Sequence, residues 1–160
     1  MNKKKAIISW ILVILLMFII FYFSHQASFI SSGTSSGLTR KLFDLFGLGE
    51  YLLFDPFHGL IRKIAHFVIY FILGLLVYNA LYFTFKKDYI EILLYTILIV
   101  MMYAFSDEIH QLFIIGRSGE LRDVFIDTSG GSIGGLIYYF YLKIGCVKTW
   151  FIRKKIMKKN

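Results

Sequence analysis

The sequence predicts an all-α polytopic membrane protein: a four-helix transmembrane bundle with a short amphipathic helix in its first outer loop. Two observations predict it. The chain is 58% hydrophobic, and four separate apolar runs approach the ~20 residues needed to cross hydrocarbon, so a soluble core is the uneconomical alternative. The polar residues, moreover, are not scattered. They gather at the ends of the apolar runs, most densely between Tyr103 and Gly135 (YAFSDEIHQLFIIGRSGELRDVFIDTSGGSIGG). At 160 residues the chain fits one domain, 1–160.

The first span is expected over about 6–23, preceded by Lys3, Lys4 and Lys5. It is longer than the apolar part of a secretory leader, and Ser24-His25-Gln26-Ala27 offers no small-x-small cleavage site. Ser28 to Gly37 is Ser/Gly-rich and reads as a flexible connection. From Leu38 to Phe54 the apolar residues Leu38, Leu42, Leu45 and Phe46 recur at helical spacing, with Arg40, Lys41 and Asp44 elsewhere on the wheel. This is the amphipathic helix, suited to the bilayer surface or to capping the bundle. Asp55, Pro56 and Gly59 suggest a turn before the second span, 61–85. The short Lys86-Lys87-Asp88 link makes the third span, 89–106, an antiparallel neighbour of the second. A tight loop with Gly116 and Gly119 leads to the fourth span, 124–142, and then to a basic tail, 143–160.

Charge gives the orientation. Twelve of the 18 basic residues flank the membrane on the side of the N-terminus, in 3–5, 86–87 and 143–159; six (Arg40, Lys41, Arg62, Lys63, Arg117, Arg122) lie opposite. Positive charge marks the cytoplasmic face, so both termini are expected inside a cell membrane crossed several times. Eight of the ten acids and all four histidines (His25, His58, His66, His110) then fall outside. Every candidate reactive group is thus expected at the outer face. The net charge of +8 is concentrated beside apolar runs, where it meets anionic headgroups; no basic patch on a polar domain suggests nucleic acid. With Cys146 as the one cysteine, an intramolecular disulfide and a four-cysteine zinc site are both excluded.

Three polar groups carry the candidate chemistry. Asp107, His110 and Gln111 stand at i, i+3 and i+4 and share a helix face, with Glu108 turned about 100° away. A carboxylate that orients an imidazole is an arrangement for general-base work; the bland alternative is a set of polar groups that merely lock a helix end. Arg62, Lys63 and His66 form the second group. Arg and Lys suit a phosphate, whereas snorkelling to the headgroups is the alternative, favoured for Lys63. Arg122, Asp123 and Asp127 form the third. Asp123 could serve as a helix cap, while Asp127 lies a turn further in and needs a partner, expected to be Arg62, Arg117, Arg122 or another acid. Gly130/Gly134 and Gly131/Gly135 make two overlapping GxxxG pairs, a close-packing face for a neighbouring helix.

Asp107, His110, His66 and Asp127 are metal-ligand types, yet no HExxH or similar spacing occurs, so neither metal nor other cofactor is expected from spacing. No GxSxG surrounds Ser106 or Ser118, which argues against a serine nucleophile.

The run R-K-x-x-H-x-x-x-Y-x-x-L-G at Arg62 to Gly74 resembles the VanZ-like membrane protein family, as does Y-A-x-S-D-E-x-H-Q-x-F at Tyr103 to Phe113. Gly116-Arg117 followed by Asp123, Asp127, Gly130 and Gly134 continues the resemblance, and Ser24-His25-Gln26 stands where the family often has a Ser-x-Gln element. It implies a small multi-helix protein of the bacterial envelope, in a family named for a member associated with resistance to the glycopeptide teicoplanin. It implies no particular reaction.

The resulting expectation is a site that handles membrane lipids, or a lipid-linked cell-wall precursor, through phosphate. Arg62, Arg117, Arg122, Gln111 and Asp123 would bind, and Asp107, His110, Glu108, Asp127 and His66 would carry the chemistry. A non-catalytic protein that binds such a lipid or alters antibiotic access is the alternative. A proton-coupled transporter ranks behind both, because the ionisable groups sit on one side only.

Overall fold

A computed structural model describes residues 3–25, 54–115 and 119–157. Within them the chain is helical: α1 (Lys3–Ser24), α2 (Phe54–Thr84), α3 (Tyr89–Gln111) and α4 (Leu121–Met157). The expected amphipathic helix over 38–54 lies outside the described residues, apart from Phe54, which already belongs to α2. Three helical segments are long and apolar enough to cross a membrane: Lys3–Ser24, Arg62–Thr84 and Tyr89–Gln111. At ~1.5 Å per residue the shortest of them reaches about 33 Å, against ~30 Å of hydrocarbon.

Two boundaries differ from expectation. Asp55, Pro56 and Gly59 make no turn before α2; they lie inside its first turns. Proline is tolerated there because the first backbone N–H groups of a helix have no intrahelical acceptor to lose. At the other end α4 continues through the basic run to Met157 instead of stopping near 142. A lysine- and arginine-rich segment is a good helix former, and charge alone gives no reason to stop.

The helices run alternately up and down. Phe85 to Asp88 joins α2 to α3 with no room for more than a reversal. Where α2 ends and α3 begins, Tyr78 donates its hydroxyl to the Tyr89 carbonyl (2.9 Å), Trp10 its indole N–H to Thr84 (2.9 Å) and Asn79 its amide to Ser9 (2.8 Å). Tyr138 of α4 donates to the Asn79 carbonyl oxygen. Asn79 therefore links α1, α2 and α4 at one end of the bundle. Between the ends sits an apolar core of Val13, Ile20, Tyr70, Leu73, Val77, Leu81, Ile92, Val100 and Ala104. The outward faces of α1 and α3 are rows of exposed Ile, Leu, Phe and Met, as hydrocarbon-facing surfaces should be.

α4 occupies the interior corner, against both α2 and α3, and its glycines explain how. A methyl on Gly130 or Gly134 would collide with the carbonyl oxygens of Phe67 and Phe71 on α2. A methyl on Gly131 or Gly135 would meet Val100, or Thr96 and Leu93, on α3, while Gly74 of α2 faces the backbone of Gly131. The two overlapping GxxxG pairs thus serve two different neighbours. Small residues let backbones approach where lipid supplies no hydrophobic drive to associate. The same glycines, with Arg122, Asp123 and Asp127, keep α4 below the apolarity of the other three.

Candidate functional site

The end opposite Asn79 collects the C-terminal ends of α1 and α3 and the N-terminal parts of α2 and α4. Deepest in it is Asp127, fully buried one turn inside α4, whose Oδ2 lies 3.4 Å from Nδ1 of His66 on α2. Asp107 of α3, 3% exposed, completes a cluster in which one ligand atom from each of His66, Asp107 and Asp127 lies within 4.8 Å of the others. Helical geometry produces this from residues far apart in sequence. His66 enters from the start of one helix, Asp127 from the start of another and Asp107 from the end of a third.

Around that centre the polar groups are tied down. Ser24 at the end of α1 donates to Asp107 Oδ2 (2.8 Å), and Gln111 donates to the same oxygen (3.2 Å) and to Glu108 Oε1 (3.0 Å). Glu108 Oε2 in turn accepts the backbone N–H of Glu120 (2.9 Å), which fixes the approach to α4. Glu108 is nonetheless joined to the Asp107 face, because Gln111, three and four residues on, bridges both carboxylates.

The expected Asp107–His110 couple is not the pairing the structure makes. His110 lies 3.2 Å from Nδ1 of His25 through its own Nε2, and its ring stacks on Phe21 at 4.4 Å. It faces α1, on the outside of the bundle end. Nor, among the described residues, does Asp127 pair with an arginine; the imidazole of His66 takes that place.

The mouth of the cluster is a small recess lined by Arg62, Lys63, His66, Asp123, Ile126 and Asp127. Lys63 bonds Asp123 (2.9 Å) and lies 3.7 Å from Glu120, so its role here is not snorkelling but closing one wall. Arg62 is partly buried at the recess and, among the described residues, meets no carboxylate at ion-pair distance. Arg122 is exposed on the first turn of α4 and does not line the recess. Arg117 lies outside the described residues.

Three further participants were visible in the sequence only in part or not at all. Ser24 was visible as a polar residue at a span end, but its partner is 83 positions away. Glu120 contributes through its backbone N–H, which no side-chain pattern encodes. Tyr70, one turn beyond His66 and part of the run that carries the family resemblance, is fully buried, and its hydroxyl has no hydrogen-bond partner among the described residues, which its spacing alone did not show.

Apolar helices packed through glycine, with ionisable groups collected at one end, define a polytopic helical membrane protein. The VanZ/LLP1 family model matches residues 9–143. The chain belongs to the VanZ/LLP1 family and is a VanZ-like membrane protein. No curated protein and no solved structure matches it.

Proposed function

We propose that this protein sits in the bacterial cell membrane with four spans and both termini in the cytoplasm. There it takes the phosphate-bearing head of an envelope lipid or lipid-linked cell-wall precursor at its outer face. The distribution of lysine and arginine supports the orientation, and the glycine packing of α4 between α2 and α3 supports its crossing with them. The observation that carries the reading is Arg62: a guanidinium without a carboxylate partner among the described residues, at the mouth of a recess floored by His66 and Asp127. A planar cation fork of that kind is suited to phosphate, and the buried imidazole–carboxylate pair below it is suited to proton exchange with a bound head group. Family membership supports a further step: by occupying or altering such a lipid, the protein changes susceptibility to glycopeptide antibiotics, teicoplanin among them.

The non-catalytic alternative draws on a specific observation. Asp107 and Glu108 are engaged in bonds that hold α1, α3 and the approach to α4 together, which is structural work. One experiment separates the readings. The protein and its Arg62→Ala and Asp107→Asn variants are purified with their native lipids, and bound and released species are identified by mass spectrometry. A phosphate lipid retained by the unaltered protein and lost from Arg62→Ala supports the site. A lipid-derived product formed only by the unaltered protein makes it an enzyme, and retention without product makes it a binding protein. Equal lipid profiles for the unaltered protein and Arg62→Ala sink the proposal.

A further inference from the structure

We propose that His66, Asp107 and Asp127 form a binding site for one divalent transition-metal ion, with zinc the best match to the donors and manganese the next.

Charge is the first reason. Asp107 and Asp127 are 3% and 0% exposed, and two carboxylates so buried are costly unless compensated. Lys63, which lines the same recess, is engaged by Asp123 and Glu120 instead. Among the described residues His66, bearing at most one positive charge, is the one basic group within 4.8 Å of both acids. A divalent cation supplies the charge that is missing.

Unused donor capacity is the second reason, independent of the first. Asp107 Oδ1, Asp127 Oδ1 and the Tyr70 hydroxyl are buried and without hydrogen-bond partners among the described residues. Orphaned polar atoms are rare in a folded interior and ask for an explanation. Two of these atoms belong to the cluster itself, and Tyr70 follows its third member, His66, by one helical turn.

The geometry agrees. His66 Nδ1 and Asp127 Oδ2 are 3.4 Å apart, close to the ~3.3 Å edge of a tetrahedron with bonds near 2.0 Å. The three ligand atoms lie within 4.8 Å of one another, so an ion between them draws the carboxylates in by a side-chain rotation. Ser24 and Gln111 hold Asp107 by Oδ2 and leave Oδ1 available, the kind of support that orients a ligating carboxylate. One imidazole with two carboxylates suits zinc or manganese better than magnesium or calcium, which favour all-oxygen sets. Three protein ligands would also leave a coordination position open, as in catalytic rather than structural zinc sites, and His66 and Asp127 line the same recess as Arg62. The inference deepens the reading of this pocket as a phosphate site, since a metal ion would polarise the anion that Arg62 holds, but the ligand geometry stands without any lipid.

The test uses the whole protein in detergent, stripped with chelator and titrated with ZnCl2, MnCl2 or CoCl2, with metal content read by mass spectrometry and Co2+ coordination by its visible spectrum. About one equivalent of zinc is expected, with Co2+ bands of a four- or five-coordinate nitrogen–oxygen site. Asp127→Asn and His66→Gln should each weaken binding by at least about 100-fold. His110→Gln should leave it unchanged, which separates this site from the exposed His25–His110 pair. No zinc or manganese uptake by the unaltered protein overturns the proposal even if the variants misfold, as does uptake that only His110→Gln abolishes. Zinc bound by the unaltered protein, with equal lipid profiles for it and Arg62→Ala, keeps the metal site and sinks the phosphate reading; lipid lost from Arg62→Ala, with no zinc uptake by the unaltered protein, does the opposite.

Discussion

Ser24 and Asp107 meet across 2.8 Å, a serine hydroxyl at the last residue of α1 donating to a carboxylate near the end of α3. The bond couples two helices that otherwise touch little, since α1 packs chiefly on α2. It also keeps one oxygen of Asp107 occupied, while the other has no hydrogen-bond partner among the described residues. Ser24→Ala should therefore lower thermal stability in detergent by about 1 kcal/mol or less, the usual worth of a buried polar contact between membrane helices. Ser24→Thr, which keeps the hydroxyl, should recover most of it. An alanine variant as stable as the unaltered protein would mean that Gln111 alone suffices to hold Asp107.

At the other end Asn79 accepts from Tyr138 and donates to Ser9, so a single side chain satisfies partners on two helices. Asn79→Leu removes both bonds and leaves the Tyr138 hydroxyl and the Ser9 oxygen short of a partner. Destabilisation of about 1–2 kcal/mol is expected, more than for any one of the bonds. Tyr138→Phe in the same background should add little, because its partner is already gone; a fully additive loss would show the two act independently.

How much of this was legible beforehand follows a physical line. Span positions rest on runs of apolar residues, which are local, and the helices fall where those runs do. The start of α2 at Phe54 was hidden because proline marks a turn and a helix's first turn equally well. Within the site, pairs on one helix face were visible and pairs between helices were not. Asp107 and His110 share a face, yet Asp107 turns to Ser24 and His110 to His25, since burial of one and exposure of the other is decided by α1. His66, Asp107 and Asp127 have no diagnostic spacing because each comes from a different helix, 20 residues or more from the next in sequence.

The orientation is open to direct labelling. In a Cys146→Ser background, Ile115→Cys on the exposed link after α3 should react with a membrane-impermeant thiol reagent added outside intact cells. Lys4→Cys should react only after permeabilisation. The reverse pattern would place the recess in the cytoplasm and exclude an outer-leaflet head group as its occupant.

Glycine packing yields the sharpest stability contrast. Gly134 presses on the carbonyl of Phe71 and Gly130 on that of Phe67, both backbone atoms of α2 that no rotamer change can move. Gly134→Ala or Gly130→Ala therefore has to push α4 away from α2, carrying Asp127 away from His66. Further along the same helix, a methyl added to Gly145 meets nothing within 4 Å among the described residues. Gly145→Ala should be neutral or slightly stabilising, since alanine is favoured over glycine in a helix by about 1 kcal/mol. The interior substitutions gain the same helix preference and still should lose about 1–3 kcal/mol net, the usual cost of overpacking. Folded yield and thermal midpoint in detergent measure both. If Gly130→Ala and Gly134→Ala match Gly145→Ala, α4 does not rest on α2 through these residues, and the distance between Asp127 and His66 that the site depends on loses its support.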